Sequence, residues 1–221
     1  MKSITNSGRR KIIKISALIS GISGIIILIS SVWPIVEYQL TESDRYKTLL
    51  TPLVLEEKGG GDLTKASNWF PEAPKNKDFG TSKVSFYTIS IPKLKIENAI
   101  VAIGGEDLTK NLIQYPGTAL PGKNGNAVIF GHSILPIFYN PKNYTAIFST
   151  LPTLKEGDDV FIEYDGISYK FKIEELFEIY PTDIQILEQN PSDAFITLVT
   201  CVPPGDPRNP KRLIVRARVV S

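Results

Sequence analysis

The sequence predicts a small, mainly β domain, a closed barrel or a sandwich, carried on one N-terminal membrane helix. Three observations predict it. From about residue 83 the chain breaks into seven or eight short β-rich runs bounded by turn residues. Ahead of them, residues 15–36 read "ISALISGISGIIILISSVWPIV", 22 residues without a charge, against the roughly 20 apolar helical residues that a hydrocarbon core requires. Between the two, residues 37–82 have the mixed charge, glycine and proline of a connecting segment.

Taken in order, residues 1–14 carry Lys2, Arg9, Arg10, Lys11 and Lys14 and no acid. Lys and Arg are in excess on cytoplasmic flanks, so residues 1–14 are expected inside, residues 15–36 to span, and residue 37 onward to lie outside. The five serines and two glycines of the run are tolerated in membrane helices, and Trp33 stands at its outer end, where interfacial aromatics collect. A cleaved signal peptide is the competing reading. The run is longer than an h-region of ~7–15 residues and has no small-x-small cleavage site, which favours a retained anchor. The formal charge of +2 hides an imbalance, because outside the tail 20 basic residues face 23 acidic ones. A nucleic-acid binder would carry its positive charge on the folded domain.

Residues 37–82 are expected to be a stalk. "GGGD" at 59–62 breaks any helix before it, and "FPEAPKNKDFGTS" at 70–82 reads as linker. The folded domain spans 83–221. Its strands are expected at 84–92, 96–105, 125–133, 159–181, 194–201 and 212–220, with short helical pieces at 106–113, 144–151 and 182–189. The run 159–181 divides at Asp165-Gly166, a strong two-residue hairpin signal. In 212–220, Leu213, Val215, Ala217 and Val219 make one face, and Arg212, Ile214, Arg216 and Arg218 the other.

The chain has one histidine, His132, and one cysteine, Cys201, and each ends an expected strand at a turn. Cysteines outside the membrane usually pair. A lone one is a free reactive thiol, an intermolecular partner, or a small buried hydrophobe. A nearby imidazolium promotes the thiolate that makes cysteine a nucleophile, and strand ends can bring the two side chains together. If 194–201 and 212–220 pair as a hairpin, Cys201 and Arg212 lie opposite each other, roughly 4.5–5.5 Å apart at Cα, and the guanidinium can stabilise an oxyanion. Arg208, in the turn, is a weaker choice, and Arg216 and Arg218 lie further along the strand. The turn from Val202 is expected to leave the thiol partly exposed.

"TLVTC" (197–201) followed by Arg212 in "RLIVRAR" resembles the TLxTC…R signature of sortases, and "YPGTALPGKNGNAVIFGHS" (115–133) resembles the segment that brings those enzymes their histidine. The likeness covers about residues 83–221. It implies the closed eight-stranded sortase β-barrel and a cysteine transpeptidase that cleaves C-terminal sorting signals of LPxTG type. The implied partners are surface proteins bearing such a signal and an amine acceptor, a cell-wall precursor or a protein lysine, at a bacterial cell membrane with the catalytic domain outside. By the same resemblance Cys201 is the nucleophile forming a thioacyl intermediate, His132 the general acid and then base, and Arg212 the oxyanion or substrate-backbone ligand. Thr200 is a substrate-positioning residue, although its side chain should face away from that of Cys201. Residues 173–193 correspond to the segment that shapes sorting-signal choice.

Lacking a second apolar run after Arg212, and an Asp-aromatic lid other than Asp78-Phe79-Gly80 in the linker, the chain is expected to be a class A, D or E-like enzyme. No cofactor is assigned. Some sortases bind calcium, and Glu174, Glu175 and Glu178 form an acidic group, but hairpin faces often look like this. A hydrolytic cysteine protease and a non-catalytic surface-anchored β-domain stay open as alternatives. Papain-like proteases generally place Cys before His, the reverse of the order here.

Overall fold

The apolar run forms α1, Asn6–Glu37, a 32-residue helix of about 48 Å at 1.5 Å per residue. The computed structural model describes residues 6–42, 45–48, 62–73, 86–208 and 211–220. Among them α1 supplies the one helix long and apolar enough to cross a membrane. Up to Trp33 its side chains stand exposed among the described residues, Ile25 58% and Leu28 66%, and Pro34, Ile35 and Val36 are half-buried. Three of its serines make local bonds. Ser16 donates to the Ile13 carbonyl at 3.0 Å, and Ser30 and Ser31 donate to that of Ile27 at 2.9 Å, so their hydroxyls do not face lipid unsatisfied.

The described parts of the segment expected as a stalk lie against the barrel. Tyr38, one residue beyond α1, is buried and donates to Glu178 Oε1 at 2.7 Å. Tyr46 is buried and donates to the Pro152 carbonyl at 2.6 Å. β1, Lys47–Thr48, pairs parallel with Phe177 and Glu178, and residues 62–73 form a strap over one face. Gly59 to Gly61 and Asp78-Phe79-Gly80 lie outside the described residues.

The strands that follow are β2 Phe86–Ile91, β3 Ile96–Ile103, β4 Leu112–Gln114, β5 Gly125–Phe130, β6 Asp159–Tyr164, β7 Ile167–Ile179, β8 Ala194–Val202 and β9 Lys211–Val220. Their order is β7-β6-β2-β3-β4-β5-β8-β9, and β9 pairs back onto β7, which closes an eight-stranded barrel with β1 added beside it. The β6–β7 turn places Asp165 at φ 52° and Gly166 at φ 75°, the left-handed pair that a two-residue hairpin turn requires.

Three expected helical pieces differ from what is observed. Residues 112–114 are β4, paired with β3 and β5, because burying Leu112 and Ile113 completely outweighs any local preference. Residues 144–150 are turns, leading to a 3-10 turn at Leu151–Thr153, and 182–189 contain only a 3-10 turn at Ile184–Leu187.

Alternation divides the apolar side chains between two layers. Ile89, Val101, Ile129, Ile162, Leu198 and Val215 fill the barrel interior, while Val128, Phe130, Val199, Cys201 and Ile214 pack together on the outer face of β5, β8 and β9. On β7 the register shifts between Ile173 and Glu175. This bulge lets Phe171 and Ile173 point inward while Phe177 and Ile179, of the same parity, join the outer layer.

Candidate active site

β5 and β8 run parallel with Phe130 beside Val199. Beyond β5 the chain stays attached to β8: Gly131 N–H donates to the Val199 carbonyl at 3.1 Å, Thr200 Oγ1 to the Gly131 carbonyl at 2.8 Å and Ser133 Oγ to the Cys201 carbonyl at 2.7 Å. Continuing that register sets His132 next to Cys201. On the other side of β8, Cys201 pairs with Arg212 of β9, as hairpin reasoning expects. The three residues therefore come from adjacent chain segments at one end of the outer layer. Gly131 is required by crowding: a Cβ there would lie 2.4 Å from the Phe148 ring and 2.6 Å from Leu112 Cδ2, so any side chain would have to push those two aside, next to the residue that carries the imidazole.

Trp69, which sequence reasoning missed, closes the site. It is wholly buried, stacks on Phe130 with centroids 5.4 Å apart, and lies 6.0 Å from the His132 ring. The Arg212 guanidinium stands 5.4 Å from the Trp69 ring centroid, and Arg212 Nη2 donates to the Trp69 carbonyl at a long 3.4 Å. The strap is held by its own bonds. Trp69 Nε1 donates to the Leu63 carbonyl at 2.8 Å, Ala66 N–H to Glu106 O at 3.0 Å, and Leu108 N–H to Thr64 O at 2.9 Å. The available signal was one of only two tryptophans in the chain, standing in an otherwise polar connecting segment.

This cover corrects the expectation of a partly exposed thiol. Cys201 is 4% exposed, and burial pushes its pKa up, with the charge of Arg212 pulling the other way. His132 is half-buried. Burial pushes its pKa down, partly offset by the charges of Asp62 and Asp107. Hydrogen bonding by the Thr109 hydroxyl, reinforced by Lys110, brings Asp107 to about 2, and the Thr64 hydroxyl lowers Asp62, so both stay ionised. His132 Nε2 is buried without a hydrogen-bond partner among the described residues. With the strap closed, a neutral thiol and a neutral imidazole are favoured.

Thr200 is fully buried and faces the barrel interior, opposite Cys201, with its hydroxyl on Gly131 O. Arg208 is engaged by Asp206, with Nη2–Oδ2 at 2.6 Å. Arg216 and Arg218 pair with Glu175 at 3.0 Å and Glu174 at 2.9 Å. Glu178 accepts from Tyr38 and from Lys211 Nζ. The three glutamates thus diverge onto separate partners, and among the described residues no group of three or more His, Cys, Asp or Glu is placed to hold a metal.

The family model described as Sortase domain matches residues 89–220. Sortase A of Bacillus anthracis is 28% identical over 136 residues, 60% of this chain and 59% of that protein. Sortase A of Staphylococcus aureus is 29% identical over 147 residues, 59% of each chain. The match thus spans about three-fifths of the length of these relatives. Among solved structures, a Clostridium perfringens Sortase D5 transpeptidase superposes with a TM-score of 0.52 at 28% identity, covering 62% of this chain and 79% of that one. A lid mutant of Sortase A from Corynebacterium diphtheriae gives 0.54 at 29% identity, covering 64% and 73%. The Sortase match takes in β3–β9 and the end of β2, including His132, Cys201 and Arg212, and the chain belongs to the sortase family.

Proposed function

We propose that the chain is a membrane-anchored cysteine transpeptidase that cleaves C-terminal sorting signals of LPxTG type and joins the new carboxyl end to an amine outside a bacterial membrane. The observation that carries this reading is the register that sets Cys201 between Arg212 on β9 and His132 after β5. A strap-open site would admit the peptide in place of Trp69, with a substrate carbonyl taking the position in which the Trp69 carbonyl now accepts from Arg212.

The Cys201 thiolate attacks the scissile carbonyl carbon, and the guanidinium of Arg212 stabilises the oxyanion. As the intermediate collapses the C–N bond breaks, the His132 imidazolium gives its proton to the departing amine, and a thioester remains on Cys201. An incoming amine attacks that thioester, loses a proton to His132 and expels the thiolate, so that an amide replaces the thioester. His132 gives one proton to the departing amine and regains one from the incoming amine, so the Cys201–His132 pair ends each turnover in its starting protonation state, and the sequence of steps calls for no cofactor. The partners are surface proteins carrying the sorting signal and an amine acceptor, a cell-wall precursor or a protein lysine. The basic residues ahead of α1 support an inside N-terminus and an outside barrel.

The test uses the full chain in detergent or nanodiscs, since Tyr38, Tyr46 and Trp69 all pack on the barrel. It is incubated with a library of sorting-signal peptides and an amine, and products are read by mass spectrometry. Peptide–amine products from the wild type and none from Cys201→Ala support the reading. Hydrolysed peptide alone, at any amine concentration, would make the protein a protease.

A further inference from the structure

We propose that Gln189 is a positioning residue that holds the wall of the peptide groove in place before substrate arrives. The proposal rests on the transpeptidase reading only for the identity of the peptide. Residues 183–191 cross the outer layer between β7 and β8, and only a 3-10 turn, Ile184–Leu187, gives them internal structure. Side-chain amides tie them to the barrel, and that of Gln189 makes the most bonds. Gln189 Oε1 accepts from Asn126 N–H at 2.9 Å and Ala119 N–H at 3.1 Å. Gln189 Nε2 donates to the Asn126 carbonyl at 3.1 Å and the Leu187 carbonyl at 3.0 Å. Both donors and both lone pairs of the amide are therefore used.

Two of these bonds go to the N–H and C=O of a single residue, Asn126, at the start of β5. β4 pairs with β5 at Ile129 and Phe130, and Tyr115 N–H extends the contact to the Val128 carbonyl at 2.8 Å, so at Asn126 the Gln189 amide occupies the edge beyond the reach of the neighbouring strand. The surroundings fit that substitution. Asn126 Nδ2 donates to the Ile186 carbonyl at 2.9 Å, and Asn126 Oδ1 accepts from Thr197 at 2.7 Å. Asn124 Nδ2 donates to the Pro191 carbonyl at 2.9 Å. Gly125 sits at φ +124°, and a Cβ there would lie 2.9 Å from Gln189 Oε1 and 2.6 Å from Ala119 Cβ.

The outcome of the pin is the placement of Ile186. It is 4% exposed and belongs to the same apolar layer as Val128, Val199 and Cys201. It also borders a cavity of about 640 Å³ whose other walls include Phe177, Phe195 and Arg216. Phe195 lies six residues before Cys201 on β8, roughly 20 Å at strand rise. A peptide whose scissile bond sits at Cys201 would run along this layer onto Ile186. A wall already ordered spares the substrate the entropy of ordering it.

The chemistry of the amide is specific. Alanine makes none of the four bonds. A carboxylate keeps the two acceptor bonds but turns a bare oxygen toward the Asn126 and Leu187 carbonyls, and protonation restores one donor.

The full chain and its Gln189→Ala and Gln189→Glu variants would be assayed with the sorting-signal peptide that the wild type turns over best, alongside backbone hydrogen–deuterium exchange over 183–191. For Gln189→Ala, KM should rise about tenfold, as expected for an ordering cost moved into binding, with kcat within about twofold and exchange in 183–191 faster. For Gln189→Glu, the KM excess over wild type should shrink as pH falls through the carboxyl range. Unchanged exchange and KM in Gln189→Ala would overturn the proposal, as would a loss confined to kcat. Exchange needs no substrate, so the two readings separate. Faster exchange in a protein whose wild type transfers no peptide would leave the pin standing and remove the transpeptidase, and unchanged exchange would remove the pin whatever the activity.

Discussion

Replacing Trp69 with alanine should turn a shut site into an open one. The side chain is completely buried, stacked on Phe130 and covered by the Arg212 guanidinium. Truncating a buried tryptophan typically costs about 3–5 kcal/mol, and a desolvated cation–π contact adds about 2 kcal/mol. That energy belongs to the strap, because the barrel interior is a separate layer without Trp69, so the loss should appear as local opening and not as global unfolding. A destabilisation of about 3 kcal/mol raises the open fraction more than a hundredfold. Opening also hydrates Cys201, removing the burial that raises its pKa while Arg212 remains beside it. The assay is the rate of Cys201 alkylation by a small reagent at pH 7.5, with thermal melting in parallel. Alkylation should accelerate by about two orders of magnitude, with only a small drop in the melting temperature. An unchanged alkylation rate, or a melting transition lowered as far as by an interior truncation such as Leu198→Ala, would refute the idea of a separable strap.

The same buried pair sets a pH window for closure. His132 is pushed below its ordinary 6.5 and Cys201 above its ordinary 9.0, so the closed strap disfavours both charged forms. Its stability is present between those values, is lost as pH falls below 6.5 and His132 gains a proton, and is lost as pH rises above 9.0 and Cys201 gives one up; amide protection over 62–73, measured relative to the intrinsic exchange rate at each pH, should be greatest inside the window. Arg212→Lys should lower kcat/KM about a hundredfold with the melting temperature nearly unchanged, because lysine keeps the charge but lacks the planar fork. Arg216→Lys, whose parent residue pairs with the exposed Glu175, should stay within about threefold by the same kinetics. Thr200→Val should cost about 1–3 kcal/mol in denaturant unfolding, since it leaves the Gly131 carbonyl without its hydroxyl donor, and should lower kcat more than it raises KM, because Gly131 carries His132.

What could be read in the sequence was what is written locally. The alternation of β9, the Asp165-Gly166 turn and the pairing of Cys201 with Arg212 each follow from a few adjacent residues and strand geometry, and each is present in the structure. The strap was not legible, because nothing near Trp69 in sequence indicates that Phe130, His132 and Arg212 will enclose it. β4 escaped because three residues are too few to show a period. The bulge after Ile173 escaped for the opposite reason: Phe171, Ile173, Phe177 and Ile179 keep one parity, and only the sheet shows that two face in and two face out. The Gln189 amide does a strand's work from a segment that reads as helix or loop, and pairings between such distant residues leave no trace in a single sequence.

Covalent catalysis by Cys201 is tested by the mass of the enzyme caught midway. The full chain is mixed with a sorting-signal peptide in the absence of any amine, quenched in acid, and digested. A thioester adduct is expected on the peptide containing Cys201, equal in mass to the N-terminal cleavage fragment less one water, absent from Cys201→Ala and discharged when an amine is added before the quench. Amine-dependent product forming from Cys201→Ala at the wild-type rate would contradict it.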